Sequence, residues 1–528
     1  MNGVRKIGDF IAGLFEEKRE GRIPVGVLIL AGFVYIYFNP YFPKGPNKNP
    51  NESSRMYLTN AIVTRGEMAI NDEIELYGDI IDKSKVGDKF YSDKAPGMSL
   101  LAVPPVFIYH RITKLFNLDY DFAMSLYFAK LFTLVIPALL LLFLLYSFIS
   151  DFLDDKRFRL ATILSCAFGS LIYPFTVLFF SHALAAALSF FAFYTLNRAF
   201  SCDDSKRLLL FLLAGALAGL ALIVEYPAVI VISILGVWLI AKERSAKLIA
   251  YPLGALPFIA ALLIINNALF GSPFSTGYSH LASSFAKVHL KGFVGVSFPQ
   301  TAAMWELLFG SSRGLFPIAP HLALGVAGSF LAFRHKKDLA LLLIAIIFLI
   351  WLFHSSFGHW EGGWTLGPRH LTILMPFLTI GFAFAAKHIV ERRKRGERLL
   401  LVVLTLISVL VVSLSTLVFP YFPPVFTHPV SQMTAPLLAE GLLPDGIARW
   451  IGVEGFVAVM PWILALSVAL YLIARASYQE GDGRRTKALF IFLSLTIALA
   501  IAYGKLTLGG DRADEQQERL EMIIKDYK

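Results

Sequence analysis

Apolar runs of about 20 residues recur along the whole chain, and each is long enough to cross the hydrocarbon core of a bilayer. Only 16% of the 528 residues are charged and 56% are hydrophobic, which leaves too little polar surface for a soluble protein of this size. We therefore predict an all-α polytopic membrane protein, a bundle of about thirteen transmembrane helices. The runs lie near 23–40, 122–149, 160–176, 183–199, 208–224, 227–241, 248–269, 314–333, 339–355, 370–388, 399–419, 456–474 and 488–503.

The formal net charge of +10 comes from short basic clusters between the apolar runs. This pattern reports membrane topology and argues against nucleic-acid binding. The short run 99–112 contains Pro104 and Pro105, and we interpret it as a helix in the membrane interface. Every even-numbered connection is then basic, so the positive-inside rule predicts a cytoplasmic amino terminus and an outer carboxyl-terminal tail.

This topology places many unusual polar residues at the outer face, which predicts one active site there. Ionisable residues at membrane depth are costly and often functional. The residues are Glu52, Asp93, Lys94, His182, Glu225, Asn266, Asn267, Arg313, His359, Glu361, Arg369 and His370.

The first outer loop begins with the segment PNESSRMYLTNAIVTRGEMAIND. Its apolar residues have helical spacing, which predicts an amphipathic helix on the membrane surface. Glu52 lies at the start of this helix, where the helix dipole favours an ionised carboxylate. Arg55 is expected to face water on the same helix.

The segment YSDKAPG follows later in the same loop and carries Asp93 and Lys94 before a fixed turn at Pro96. Lys94 either pairs with Asp93 or binds a lipid phosphate. A solvated turn is the alternative interpretation.

Two glycine-containing outer segments carry arginines. Arg369 lies in FGHWEGGWTLGPRHL with His359 and Glu361, and Arg313 lies in LLFGSSRGLF. Guanidinium groups bind phosphate with two parallel hydrogen bonds. The alternatives are that Arg369 reaches the lipid headgroups and that the Arg313 segment is a capped helix start.

His182 and Glu225 lie at the outer ends of apolar runs. A lone histidine in this position either makes a packing hydrogen bond or takes part in chemistry. Glu225 either has a functional role at membrane depth or marks a short outer turn.

The two first-loop motifs together resemble those of the GT-C superfamily of polyprenyl-phosphate-dependent glycosyltransferases. This superfamily includes the protein O-mannosyltransferases and the lipid A aminoarabinose transferases. The resemblance rests on the helix pattern with Arg55, Leu58, Ala61 and Ile62 and on YSDKAPGMSLLAVPP, and it spans roughly residues 24–390. Weaker support comes from LFFSHALAAAL, LIINNALFGSPFSTGYS, FGSSRGLF and GGWTLGPRHLTILMPFL.

The resemblance implies a multi-pass enzyme of the cell membrane that moves a sugar from a polyprenyl-phosphate carrier to a hydroxyl acceptor on the non-cytoplasmic face, with inversion. The acceptor is a lipid, a glycan or a protein. In this superfamily a first-loop carboxylate, commonly the Asp of an Asp-Glu pair, deprotonates the acceptor. This chain has Asn51-Glu52 there, so we expect Glu52 to be the general base, followed by Asp93 and Glu361.

Phosphate departs as an anion, so one base is sufficient and positive charge must balance the leaving group. Lys94, Arg313 and Arg369 are the candidates for this role, with Arg55 as a weaker one, and His182 and His359 are further substrate-binding candidates. The chain contains no cofactor motif, and a divalent cation remains an open alternative.

The predicted organisation has four parts. They are a cytoplasmic segment 1–22, a GT-C-like catalytic module 23–390 with first outer loop 41–120, carboxyl-terminal helices 391–503 with outer loop 420–455, and a charged outer tail 504–528, expected to be solvent-exposed. Two other classes of function are a flippase for lipid-linked glycans and a non-catalytic envelope-assembly protein. Transporters commonly show internal repeats, and the sequence shows none.

Overall fold

The fold is described from a computed structural model that covers residues 14–17, 21–37, 49–283, 295–442, 446–453, 455–477 and 514–527. Within these ranges the chain is helical apart from one antiparallel hairpin, β1 (Lys83–Val86) and β2 (Lys89–Ser92). This confirms the predicted all-α class. The predicted span 488–503, most of the segment 1–22 and the first residues of the tail lie outside the described residues.

The helices are numbered here in chain order. They are α1 (Val25–Tyr37), α2 (Pro50–Arg65), α3 (Asn71–Tyr77), α4 (Gly97–Leu115), α5 (Phe122–Ser150), α6 (Lys156–Gly169), α7 (Ile172–Val177), α8 (His182–Ala199), α9 (Asp204–Val224), α10 (Ala228–Lys242), α11 (Ala250–Phe270), α12 (Thr301–Phe309), α13 (Leu315–Ile318), α14 (His321–Leu331), α15 (Lys337–Ser355), α16 (Met375–Arg392), α17 (Arg395–Val418), α18 (Ala435–Ala439), α19 (Gly455–Ala474) and α20 (Asp514–Tyr527).

Seven helices among the described residues are long and apolar enough to cross a membrane: α5, α9, α11, α15, α16, α17 and α19, some with short 3₁₀ extensions. Three shorter apolar helices, α1, α10 and α14, also match predicted spans. The predicted run 160–176 is divided between α6 and α7, and the run 314–333 between α13 and α14. The total of about thirteen spans remains a prediction.

The helices α9 and α11 contact each other backbone to backbone. A β-carbon on Gly254 would lie 2.0 Å from the carbonyl oxygen of Leu212. The pair α14 and α16 is equally close, because a β-carbon on Gly328 would lie 1.8 Å from the carbonyl oxygen of Gly381. Small residues of this kind allow close helix contact in membranes, where there is no hydrophobic drive between helices.

The helix α2 is inside the protein, and this corrects the expectation that it lies on the surface with Arg55 facing water. It starts with Asn49 capping the backbone N–H of Asn51 and with Pro50 at its first position. Every residue from Asn51 to Ala61 is buried, and Arg55 is 3% exposed. Buried polar groups require partners, and those of α2 come from the rest of the bundle.

The helix α20 corrects a second expectation, since the tail is not simply solvent-exposed. Leu520 and Ile523 are buried in the main hydrophobic core. Gln516 donates a hydrogen bond to the carbonyl oxygen of Val425 at 2.9 Å, and the Arg519 guanidinium lies 5.5 Å from the Trp364 ring centroid. The helix is amphipathic, with its charged face outward.

The elements that carry most of the predicted polar residues meet at one end of the bundle. These are the start of α8, the end of α9, the end of α15, the short 3₁₀ helix Arg369–Leu374 before α16, and the first-loop segment that ends at Pro96. The polar groups there contact one another, as the next section describes. The side of the membrane on which this end lies remains a prediction.

Candidate functional site

Glu52 is buried at the start of α2 and is 1% exposed. Its carboxylate accepts hydrogen bonds from the backbone N–H of Phe179 and from the hydroxyl of Tyr421. Burial raises the pKa of Glu52, and the nearby Lys130 ammonium acts in the opposite direction. Because both carboxylate oxygens have partners, Glu52 joins three distant segments of the chain.

Asp93 and Asp82 share one lysine. The Lys94 Nζ atom lies 2.8 Å from Asp82 Oδ2 and 2.8 Å from Asp93 Oδ2. Burial alone would lower the pKa of Lys94, but the two carboxylates outweigh it and raise the pKa above its usual value. Lys94 therefore stays charged.

Asp93 itself is 2% exposed, and its second oxygen accepts a hydrogen bond from the Ser54 hydroxyl at 3.2 Å. Burial raises the pKa of this carboxyl, although Lys94 opposes the effect. A carboxylate with a raised pKa is a stronger base than an ordinary aspartate.

The loop around Gly277 holds Asp93 in place. A β-carbon on Gly277 would lie 2.6 Å from the Cα atom of Asp93, so only glycine permits this approach. The Ser84 hydroxyl in β1 donates to the carbonyl oxygen of Gly277 at 2.7 Å. The hairpin thereby fixes the position of the Asp93–Lys94 turn.

Arg55 connects α2 to α8 and α9. Its Nη2 atom donates to the Ser181 hydroxyl at 2.8 Å, and its Nη1 atom donates to the Asn51 carbonyl oxygen at 3.1 Å and to the Asn51 side chain. The Ser181 hydroxyl in turn donates to Glu225. Asn51 thus serves as an acceptor for Arg55 in the place where a carboxylate was expected from the resemblance.

Three imidazoles pack against one another, and one of them contacts Glu225. His182 Nδ1 lies 3.3 Å from Glu225 Oε2. The ring of His370 meets the ring of His182 edge-on at 5.6 Å and stacks on the ring of His354 at 5.0 Å. We call His182, His354 and His370 the histidine cluster.

Arg369 is half-buried beside this cluster, with its guanidinium 5.5 Å from the Phe180 ring centroid. Its guanidinium makes no hydrogen bond or ion pair with any residue that the structure describes, and its Nε atom is buried without a partner. Asp82 and Glu225 are close enough to interact with it electrostatically. Arg369 is therefore the unpaired cation of the site within the described ranges.

Arg313 has a different environment. Its guanidinium donates to the carbonyl oxygens of Glu361, Gly363 (2.8 Å) and Phe422 (3.4 Å). Burial lowers its pKa to about 10. Arg313 thus organises the loop 361–363, and its donors have backbone partners.

Glu361 and His359 lie at the rim, with His359 Nδ1 3.6 Å from Glu361 Oε2 and with side chains 27% and 38% exposed for the histidine and the glutamate. The pair is more open to solvent than Asp93. An ion pair with this exposure contributes little to stability.

A crevice opens beside Lys94, with an empty volume of about 320 Å³ that includes its mouth. Its walls are mostly apolar and aromatic, and Asn266 is one of the few polar side chains on them. They include Leu58, Met68, Tyr91, Tyr226, Asn266 and Phe270.

The structure brings Asp93, Lys94, Arg55, His182 and Arg369 into one polar cluster, while it places Glu52 and Arg313 in bonding networks of their own. Sequence reasoning missed Asp82 and His354. Asp82 lies in the charged stretch GDIIDKSK, and His354 ends the apolar run of α15. The sequence pointed to His354 only in that a polar residue ends that apolar run.

Among the residues described, there is no group of three His, Cys, Asp or Glu side chains placed to hold a metal ion.

No protein-family model and no curated protein matches this chain. Solved structures similar to it include ArnT from Cupriavidus metallidurans in the apo state, with 14% identity, a TM-score of 0.46, and coverage of 96% of this chain and 78% of that chain. ArnT from the same organism bound to undecaprenyl phosphate matches with 14% identity, a TM-score of 0.45, and coverage of 92% and 77%.

The Archaeoglobus fulgidus oligosaccharyltransferase in complex with zinc and sulfate matches with 14% identity, a TM-score of 0.45, and coverage of 75% of this chain and 53% of that chain. These solved proteins are members of the GT-C superfamily, which is the one that the sequence resembles.

Proposed function

We propose that this protein is a membrane glycosyltransferase that moves a sugar from a polyprenyl-phosphate carrier to a hydroxyl acceptor, with inversion at the sugar carbon. The observation that carries the proposal is a buried carboxylate, Asp93, which shares Lys94 with Asp82, the carboxylate that interacts electrostatically with the unpaired guanidinium of Arg369. A base and an anion-binding group close together are what sugar transfer from a phosphate requires.

Asp93 is the proposed general base in preference to Glu52. Glu52 is held by Phe179 and Tyr421, which belong to distant segments of the chain, so using it as the base would disturb the contacts between those segments. Asp93 is held by Lys94 and Ser54, which both belong to the first loop, and Lys94 lines the adjoining crevice.

Arg369 and Lys94 are proposed to bind the phosphate. Arg369 has donors without partners in the described part of the chain, and a guanidinium matches the geometry of phosphate oxygens. Lys94 supplies a second positive charge.

The proposed step balances charge within the cluster. Asp93 takes the proton of the acceptor hydroxyl while the new bond from that oxygen to the sugar carbon forms. The bond from the sugar carbon to the phosphate oxygen breaks, and its electron pair stays on the phosphate. The negative charge lost at Asp93 appears on the phosphate, where Lys94 and Arg369 stabilise it.

Further parts of the proposal concern place and partners. The polar end of the bundle faces the non-cytoplasmic side, the amino terminus is cytoplasmic, and the acceptor is a lipid, a glycan or a protein. The apolar flanks of the helices at this end provide a surface for the lipid carrier within the bilayer.

The alternative, a lipid-linked glycan flippase, fits the polar cluster less well. Transporters place substrate groups near the midplane between related halves, whereas these residues lie at helix ends.

The test is transfer by purified protein in lipid vesicles from a panel of radiolabelled polyprenyl-phosphate sugars. The proposal expects labelled product and stoichiometric release of polyprenyl phosphate for at least one donor. Movement of intact donor across the vesicle membrane with no release of phosphate would instead indicate the flippase.

A further inference from the structure

The histidine cluster contains buried ring nitrogens that have no partner among the residues described. They are both nitrogens of His354, Nε2 of His182 and Nε2 of His370. His182 and His354 are 6% and 3% exposed. Burying polar atoms without partners is unfavourable, so these nitrogens favour the binding of a polar group.

The chemistry of the nitrogens limits the kind of guest. In a neutral imidazole one nitrogen donates a hydrogen bond and the other accepts one. At His182 the contact of Nδ1 with Glu225 assigns the N–H to that atom, which leaves Nε2 as an acceptor. A phosphate oxygen has no hydrogen to donate to Nε2, whereas a hydroxyl group does.

His354 supports the same conclusion, since its two unpaired nitrogens comprise one donor and one acceptor. A hydroxyl group both donates and accepts. Adjacent hydroxyls of a sugar therefore match both kinds of nitrogen in the histidine cluster. A phosphate oxygen matches only a nitrogen that donates a hydrogen bond.

The loop residue that faces the histidine cluster is a glycine. A β-carbon on Gly362 would lie 3.0 Å from Arg369 Nε and 3.1 Å from His370 Nε2. Gly362 therefore packs directly against Arg369 and His370, and this places the histidine cluster beside the proposed phosphate-binding group.

We propose that His182, His354 and His370 form the subsite for the hydroxyl groups of the transferred sugar. This inference rests on the proposed function and adds to it that the sugar is recognised as a neutral polyol, separately from its phosphate. His354 is a new member of the site.

The test measures the binding of farnesyl phosphate and of farnesyl phosphates that carry mannose, glucose, galactose or arabinose. The variant His354→Phe keeps the aromatic stack on His370 and removes both nitrogens. We expect about ten-fold weaker binding of the preferred glycosylated lipid and unchanged binding of farnesyl phosphate. His321→Phe is the matched control, since His321 is buried beside Phe382 with an unpaired nitrogen of its own.

A second pair of variants tests the inference without replacing any histidine. Gly362 and Gly363 have φ of +71° and +73°, so alanine carries the same backbone strain at either position. A β-carbon at 363 meets nothing within 4 Å. Gly362→Ala should weaken binding of the glycosylated lipid more than Gly363→Ala does.

The outcomes separate this inference from the proposed function. If His354→Phe weakens the binding of farnesyl phosphate and of its glycosylated forms equally, the histidine cluster binds phosphate. This result overturns the inference. The inference is also overturned if the wild type binds farnesyl phosphate and no attached sugar increases its affinity. In that case the carrier part of the proposed function survives. Failure of the wild type to bind any of these lipids contradicts both.

Discussion

Two buried carboxylate regions of the same first-loop segment differ in how completely their polar groups are paired. Around Glu52, the carboxylate is engaged by Phe179 and Tyr421, and the ammonium of Lys130 donates to the Val177 carbonyl oxygen at 3.1 Å. Around Asp93, Arg369 has no partner within the described residues, and the nearby histidine cluster has unpaired nitrogens. The first region is arranged for stability and the second for a ligand.

This difference separates two effects of removing a carboxylate. Breaking a buried ion pair by removing one partner is strongly destabilising. Removing a general base lowers the rate of the chemical step, and in Asp93→Asn the Lys94 ammonium keeps Asp82 as a carboxylate partner. Variants of the two regions are therefore expected to fail in different assays.

The largest expected effect is on transfer by Asp93→Asn. Loss of the base should lower kcat by about 10²–10⁴-fold, with the donor KM little changed. Single-turnover transfer measures this directly. The control is Asp88→Asn, in the exposed turn of the same hairpin. Loss of transfer in Asp88→Asn as well would contradict the assignment of Asp93 as the base.

The next largest effect is on the stability of Glu52→Gln, which removes the charge that balances the nearby, buried Lys130 ammonium. We expect a loss of about 3 kcal/mol, measured as a lower unfolding temperature in detergent. The double variant Glu52→Gln/Lys130→Met should recover part of the loss. Unchanged thermal stability of Glu52→Gln would contradict the structural role.

Arg369→Gln should raise the donor KM by about 10–100-fold, because a charged hydrogen bond to phosphate contributes about 1.5–3 kcal/mol. Steady-state kinetics with varied donor concentration check this. Arg392→Gln at the far end of α16, which is largely exposed, should leave the donor KM unchanged.

The smallest effect is a shift of the pH profile. Asp93 has to be ionised to accept a proton, and burial raises its pKa, so transfer should fall on the acid side at a higher pH than for an ordinary aspartate. Lys94 opposes this shift, so Lys94→Gln should move the acid limb up by about 1–3 pH units. An acid limb that stays in place in Lys94→Gln would argue that Asp93 is not the titrating group.

The sequence was sufficient for the elements whose signal is local. Spans such as 122–149, 339–355 and 399–419 correspond to helices Phe122–Ser150, Lys337–Ser355 and Arg395–Val418, because about 20 apolar residues in succession have no stable alternative to a helix in a membrane. The candidates Asp93, Lys94, His182 and Arg369 were also identified from sequence, since charged residues near apolar runs are conspicuous.

The sequence was insufficient where long-range packing determines which residues are buried. Arg55 was expected to face water because its helix has a mixed composition, and it is buried because Ser181 from the start of α8 provides a partner. The tail helix was expected to be exposed because it is highly charged, and Leu520 and Ile523 fix its inner face against the core. Neither partner is near in sequence.

The role of Glu52 was the least accessible from sequence. Its position in the motif made it the first candidate for the base, and that role remains untested. Its hydroxyl partner, Tyr421, is 369 positions away, so no local pattern reveals that this carboxylate is already engaged.

The most direct test of the central claim compares single-turnover sugar transfer by Asp93→Asn and Glu52→Gln, each normalised to the amount of folded protein. Folded protein is quantified by its monodisperse peak in size-exclusion chromatography. The account predicts that Asp93→Asn loses transfer by at least about 10²-fold while Glu52→Gln stays within about ten-fold of the wild type. Full transfer by Asp93→Asn together with its loss in folded Glu52→Gln would contradict the account and make Glu52 the base.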